Sequence, residues 1–137
     1  MNIPLIDRSN YLKGLLITAR LDKELSSKEK EMLKTISEKL GFASDFFDET
    51  IKNLLTNKYI DTSPIIFSNK DIAISFLTDA ISLAFINNVI TQEEIEWLKS
   101  VAIVNGLNSD FIEKQMNSQN SVKGPLINKE FALFSII

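Results

Sequence analysis

Carboxylates are the groups left to do chemistry in this chain. Its 137 residues include no Cys and no His. Thiol nucleophiles, Cys/His zinc sites, haem axial histidines and any imidazole base are therefore excluded. The phosphate-cradling pattern G-x-x-x-x-G-K-[ST], the nucleophile elbow G-x-S-x-G and the dinucleotide fingerprint G-x-G-x-x-G are all missing from the sequence. A carboxylate can still move a proton when burial shifts its pKa, or hold a hard cation when several converge. Three places qualify by composition. Glu93, Glu94 and Glu96 cluster, but at the start of an amphipathic helix, where acids are favoured by the helix dipole and read as a solvated face. Asp79 is the sole ionisable group in IAISFLTDAISLAFI, residues 72–86. It shares a narrow polar stripe with Ser75, Thr78 and Ser82 at i, i+3, i+4, i+7 spacing. That stripe reads as one wet edge of a central bundle helix, with Asp79 exposed or bonded to hydroxyls; a buried Asp79 would carry a raised pKa. The third place is a pair of turns, LDKELSSKE at 21–29 and INNVITQEE at 86–94.

Those turns belong to a repeat that dictates the elements around them. Shifted by 65 residues, the chain aligns on itself without a gap from Leu12/Leu77 to Phe46/Phe111. Identities include Ala19/Ala84, Glu29/Glu94, Leu33/Leu98, Gly41/Gly106, Ser44/Ser109 and Asp45/Asp110. Ser26-x-x-Glu29 and Thr91-x-x-Glu94 are capping boxes, each preceded by an apolar residue, Leu25 or Ile90, placed to staple the entry. Leu33, Ile36 and Leu40 then form one apolar stripe, and Trp97, Leu98, Val101 and Val104 its counterpart. Gly41 and Gly106 stand where a helix ends in a left-handed residue. Ser44 and Ser109 are placed to cap third helices, with Asp45 and Asp110 set against their dipoles. The spacing predicts helices at about 9–22, 27–40, 44–58, 70–87, 92–104 and 109–117. Pro64 breaks the connector 59–69. Phe46, Phe47, Phe76, Phe85, Trp97 and Phe111 fall at core-like spacings. The fold class is all-α: one compact helical domain over 1–118, made of two pseudo-repeated three-helix units (about 9–58 and 70–117). Residues 119–137 form a linker and an apolar C-terminal tail.

Composition bounds the function classes. With 45% apolar and 24% charged residues the chain reads as a soluble globular protein large enough for a real core. The net charge of −3, with Arg8 and Arg20 the only arginines, argues against nucleic acid. Asp79 in the middle of 72–86 argues against a transmembrane segment. MNIPLIDRSN lacks a basic stretch followed by an apolar run, so it does not read as a signal peptide. The absence of Cys fits a reducing compartment, and the expectation is cytoplasmic. NSQNSVKGP at 117–125 reads as a polar link ending in a Gly-Pro break. LINKEFALFSII at 126–137 then places eight apolar residues in twelve. That segment either docks on its own bundle or serves as a protein-binding or self-associating arm.

At Ala19-Arg20-Leu21-Asp22-Lys23-Glu24-Leu25-Ser26 with Glu29, and at Ala84-Phe85-Ile86-Asn87-Asn88-Val89-Ile90-Thr91 with Glu94, the sequence resembles the TerB-like family, named for bacterial tellurite-resistance proteins. The family's mark is A-x-A-D-G, an aliphatic residue, a cap, and Glu seven positions after the Asp. Neither copy here keeps Asp-Gly: the first has Asp22-Lys23, the second Asn87-Asn88. The resemblance covers roughly residues 10–117 and implies a two-hairpin helical domain. It also implies, position by position, a divalent-cation set of Asp22, Glu29, Asn87 and Glu94, in which Asn87 is a neutral replacement. An EF-hand is excluded. Aligned on Glu29, the first three ligand positions are Thr18, Arg20 and Asp22, and in the second copy Leu83, Phe85 and Asn87; Ca²⁺ needs six to eight oxygens. The capping role of Glu29 and Glu94 is the competing reading.

The sequence therefore points to a non-catalytic helical interaction module, not an enzyme and without an organic cofactor. The resemblance adds a bacterial stress-response or envelope-associated complex as context. Its partner is a protein or a second copy, engaged through 126–137. The alternative is a weak divalent-cation binder using the acidic residues at the inter-helix turns.

Overall fold

The computed structural model describes residues 3–21, 25–56, 61–87, 90–121 and 131–136, save for the side chains of 54–56, 87, 119–121 and 135. Within them the chain is all-helical: α1 Leu5–Leu21, α2 Ser27–Lys39, α3 Ser44–Thr56, α4 Lys70–Ala84, α5 Gln92–Val104 and α6 Asp110–Ser121. A 3-10 turn, Phe85–Asn87, extends α4, and a second, Ala132–Ser135, lies in the C-terminal segment. None of these helices is long and apolar enough to cross a membrane. The expected helices all form. α1 starts four residues earlier than its periodicity predicts, its first turn closed by Arg8 N–H on the Pro4 carbonyl. α6 runs on through part of the expected polar link; the Gly-Pro break of that link lies outside the described residues.

The local signals act as their chemistry requires. Both capping boxes close: Ser26 and Thr91 accept from the Glu29 and Glu94 amides, and those glutamates accept from the cap amides at 3.1 and 2.9 Å. Both glycine stops are left-handed, with φ of 93° at Gly41 and 79° at Gly106. Each ends its helix with the paired bonds of a Schellman motif: Gly41 to Glu38 and Phe42 to Ser37, then Gly106 to Ile103 and Leu107 to Ala102. Leu25 and Ile90 pack against the core. The third helices are capped differently from expectation. Phe47 N–H bonds the Ala43 carbonyl, so Ser44 is already helical. At α6 the accepting side chain is Asn108, which takes the Asp110 amide at 3.2 Å.

α1 and α4 form the central, most extensively packed pair, and α2, α3, α5 and α6 gather around them. At their crossing a Cβ on Gly14 would stand 2.5 Å from the Phe76 ring, so the close approach requires glycine. Phe67, Tyr11, Phe76 and Trp97 build an aromatic column beside it, with centroid distances of 5.2–6.3 Å. The connector before α4 is strapped to the bundle by three side chains. The buried Asp7 accepts from the Ser68 amide and hydroxyl, Asn105 brackets Ile65 and Phe67, and the Trp97 indole donates to Thr62 O. Two expected core positions lie outside. Phe46 is 48% exposed and stacks on Phe42, while its neighbour Phe47 is buried; Val104 is 41% exposed, and Ala102 takes the inward place on α5.

Candidate functional site

The wet edge predicted for α4 is dry except at Thr78, which is half-buried. Ser75, Asp79 and Ser82 are all buried, Asp79 to 1% exposure. Two elements cover the stripe. From one side α1 brings Tyr11, whose hydroxyl donates to Asp79 Oδ2 at 2.5 Å and lies 2.8 Å from Ser75 Oγ. From the other side comes the C-terminal segment, whose 3-10 turn starts at Phe131 without any side-chain cap of its own. The amides that open this turn are satisfied across the chain: Ala132 N–H donates to Asp79 Oδ1 at 2.7 Å and Leu133 N–H to Oδ2 at 3.1 Å. Asp79 is thus the N-terminal cap of a turn more than fifty residues away. The hydroxyl on Asp79 is Tyr11 of α1, not one from the stripe, and Asp79 takes the buried state with a raised pKa. The expected exposure is not found, because helical periodicity locates a polar edge without saying what will lie over it.

Apolar contacts complete the seat. Leu133 is fully buried, and Phe131, Phe134 and Ile136 pack against the same core. Phe131 and Phe134 meet edge-to-face at 5.4 Å, and the Lys39 ammonium at the end of α2 sits 5.5 Å from the Phe134 centroid. Of the two fates the sequence left open for the apolar tail, docking on its own bundle is the one adopted over 131–136.

The electrostatics oppose each other within this site. Burial pushes the Asp79 carboxyl from 3.8 up to about 6, and the donors Tyr11, Ala132 and Leu133 pull it back toward the charged form. The Tyr11 hydroxyl is raised well above its ordinary 10 by burial and then by the neighbouring Asp79 charge, so it stays protonated and remains a donor. The arrangement can grip a peptide segment by two consecutive backbone amides and one inserted aliphatic side chain. For proton transfer to a substrate it is poorly placed, because 131–136 covers it.

The cation candidates are not brought together in the same way. Glu29 and Glu94 are buried and each commits one oxygen to a cap amide. Asp22 and the Asn87 side chain lie outside the described residues. Among the described residues, no group of three or more carboxylates is close enough to hold a metal ion. Glu93 and Glu96 are exposed on the first turns of α5.

Sequence reasoning singled out Asp79 but missed its amide partners, as well as Asp7 and Asn105. One sequence signal did exist. The terminal turn has Phe131 in its cap position in place of Ser, Thr, Asp or Asn, while α4 carries a solitary acid in an apolar run. Comparison of the chain with protein-family models, curated proteins and solved structures finds no match in any of the three.

Proposed function

We propose that the chain is a non-catalytic helical interaction module whose binding surface is the Asp79 seat on α4. Its C-terminal segment 131–136 is the built-in occupant. The observation that carries this reading is the pair of amide bonds from Ala132 and Leu133 to a buried carboxylate. A helix that needed only a hydrophobic lid would gain nothing from burying an acid, since an unpaired buried carboxylate is costly. An acid placed where it accepts two successive backbone amides reads an extended-to-turn backbone, and the hole filled by Leu133 reads one aliphatic side chain. A role in a bacterial stress-response or envelope-associated complex rests on the TerB-like motifs alone, and a cytoplasmic location on the absence of Cys. For the cation-binding alternative, the described residues hold no cluster of three or more carboxylates, and Asp22 and the Asn87 side chain lie outside them.

The test is a labelled peptide of residues 129–137, titrated by fluorescence anisotropy into the full-length chain carrying Leu133→Asp, which unseats the resident segment. Saturable one-to-one binding is expected, at least tenfold weaker in the wild-type chain, whose own segment competes. Adding Asp79→Ala to the Leu133→Asp chain should abolish it. No binding by a Leu133→Asp chain that keeps its helical circular dichroism would remove the proposal.

A further inference from the structure

Among the described residues, no cation stands against the buried Asp79 carboxyl. Its three hydrogen bonds come from uncharged donors: the Tyr11 hydroxyl and Leu133 amide on Oδ2, and the Ala132 amide on Oδ1. The charged groups of the surrounding elements are placed elsewhere. On α1, Asp7 holds Ser68, Arg8 reaches the Leu40 carbonyl, Lys13 is exposed and Arg20 lies in the last turn. Lys39 of α2 sits by the Phe134 ring, and Lys99 of α5 pairs with Glu113 of α6. Glu94 closes its capping box, while Glu93 and Glu96 on α5 and Asp110 and Lys114 on α6 are exposed. Lys70 and Asp71 are exposed on the first turn of α4 itself, and 131–136 carries no charged residue. A carboxylate offers about four acceptor positions. Three are filled here, and the docked segment excludes the water that would fill the fourth.

The same site accommodates a proton. Tyr11 Oη lies 2.5 Å from Asp79 Oδ2 and 2.8 Å from the buried Ser75 Oγ, and the second bond fits either oxygen as donor. With Asp79 charged, Tyr11 donates to it and Ser75 donates to Tyr11. With Asp79 protonated on Oδ2, both hydroxyls turn: the carboxyl donates to Tyr11, and Tyr11 to Ser75. The Ala132 and Leu133 amides keep their acceptors in both states. We propose that docking of the 131–136 segment takes up a proton from solvent at Asp79, the Tyr11–Ser75 hydroxyl pair reversing to receive it, so that acid locks the segment in its seat and neutral pH loosens it. This rests on the reading of the seat as a segment-binding surface, and names its regulation.

Burial sets the sign. With the segment seated, the Asp79 carboxyl is pushed up from 3.8 to about 6. With the seat open, water returns and the carboxyl falls back toward its ordinary value. The docked state thus holds the proton more tightly. Docking is strongest below about pH 4 and weakens as pH rises through about 6. Between pH 5 and pH 7.5 those two values correspond to about a tenfold change in affinity.

In the full-length chain, Leu133→Lys unseats the resident segment with a residue whose charge is constant over this range. A rhodamine-labelled, N-capped peptide of residues 129–137 should bind that chain about tenfold more tightly at pH 5 than at pH 7.5, read by anisotropy at fixed ionic strength. Adding Asp79→Asn should remove the pH dependence. Adding Ser75→Ala instead should shrink it below about threefold, because the reversed Tyr11 hydroxyl then has no acceptor. Equal affinity at the two pH values, or tighter binding at pH 7.5, would overturn the inference and leave the seat intact. Absence of binding at both would overturn the seat itself. A tenfold dependence that survives Asp79→Asn would assign the proton to another group, and one that survives Ser75→Ala would overturn the hydroxyl reversal. Amide exchange in the wild-type chain needs no substitution. Protection of Ala132 and Leu133, each referred to free-peptide rates at the same pH, should be about tenfold higher at pH 5 than at pH 7.5, and equal protection contradicts the inference.

Discussion

Replacing Asp79 by asparagine asks whether burial or hydrogen bonding governs the centre of the seat. Burial holds the folded-state pKa of Asp79 near 6, against 3.8 for an exposed aspartate. The native state therefore binds this proton more tightly than the unfolded chain does. Below about pH 4 both states are protonated and the group costs nothing. Between about 4 and 6 the native state holds a proton the unfolded state has lost, so stability falls as pH rises. Above 6 the full penalty applies. About two pKa units at 1.36 kcal/mol each is about 3 kcal/mol. The substituted carboxamide does not titrate, and its changed hydrogen bonding adds an offset nearly independent of pH. The stability of wild type minus that of Asp79→Asn should therefore drop by about 2–3 kcal/mol from pH 4 to pH 7, the contribution of the other carboxylates cancelling in the difference. Urea denaturation of both proteins at fixed ionic strength measures it. A difference that is flat, or that rises with pH, would show that the three donors outweigh burial and refute the reasoning.

Other expectations follow from the same packing. Tyr11→Phe removes the donor on Asp79 Oδ2 and should cost about 1–3 kcal/mol at pH 7 and less at pH 4, where the carboxyl can donate its own proton; the same denaturation series reads both. Gly14→Ala gains helix propensity but drives a methyl to 2.5 Å from the buried Phe76 ring. A net loss of about 1–3 kcal/mol is expected in thermal unfolding. Ser26→Ala and Thr91→Ala each remove a capping-box acceptor and should each cost about 0.5–2 kcal/mol. If Glu29 and Glu94 serve as caps, those losses should be the same in EDTA and in millimolar Ca²⁺ or Mg²⁺; a cation-dependent loss would favour the metal reading.

What was legible in the sequence was local. The capping boxes at Ser26 and Thr91 and the left-handed stops at Gly41 and Gly106 involve partners within about six residues, and a short window of sequence contains all the atoms concerned. The apolar stripe Leu33, Ile36 and Leu40 was equally plain, because helical spacing alone puts it on one face. Long-range polar pairing was not. Asp79 was visible as an anomaly, but its amide partners lie 53 and 54 residues later, and backbone N–H groups leave no mark in a sequence. The same holds for Asn105, which brackets Ile65 and Phe67 from 40 and 38 residues away. Phe46 and Val104 failed for a different reason. Each sits at the edge of its apolar stripe, where a rotation of a few tens of degrees decides between core and solvent, and only the neighbouring helices fix that rotation.

The seat stands or falls with the hold of Asp79 on the Ala132 and Leu133 amides. Amide hydrogen exchange of the full-length wild-type chain, read residue by residue by NMR, tests that contact without any substitution. Protection of both amides far above free-peptide rates, falling to those rates when Leu133→Asp unseats the segment, is the predicted result. Exchange of Ala132 and Leu133 at free-peptide rates in the wild-type chain, with α4 still protected, would contradict it.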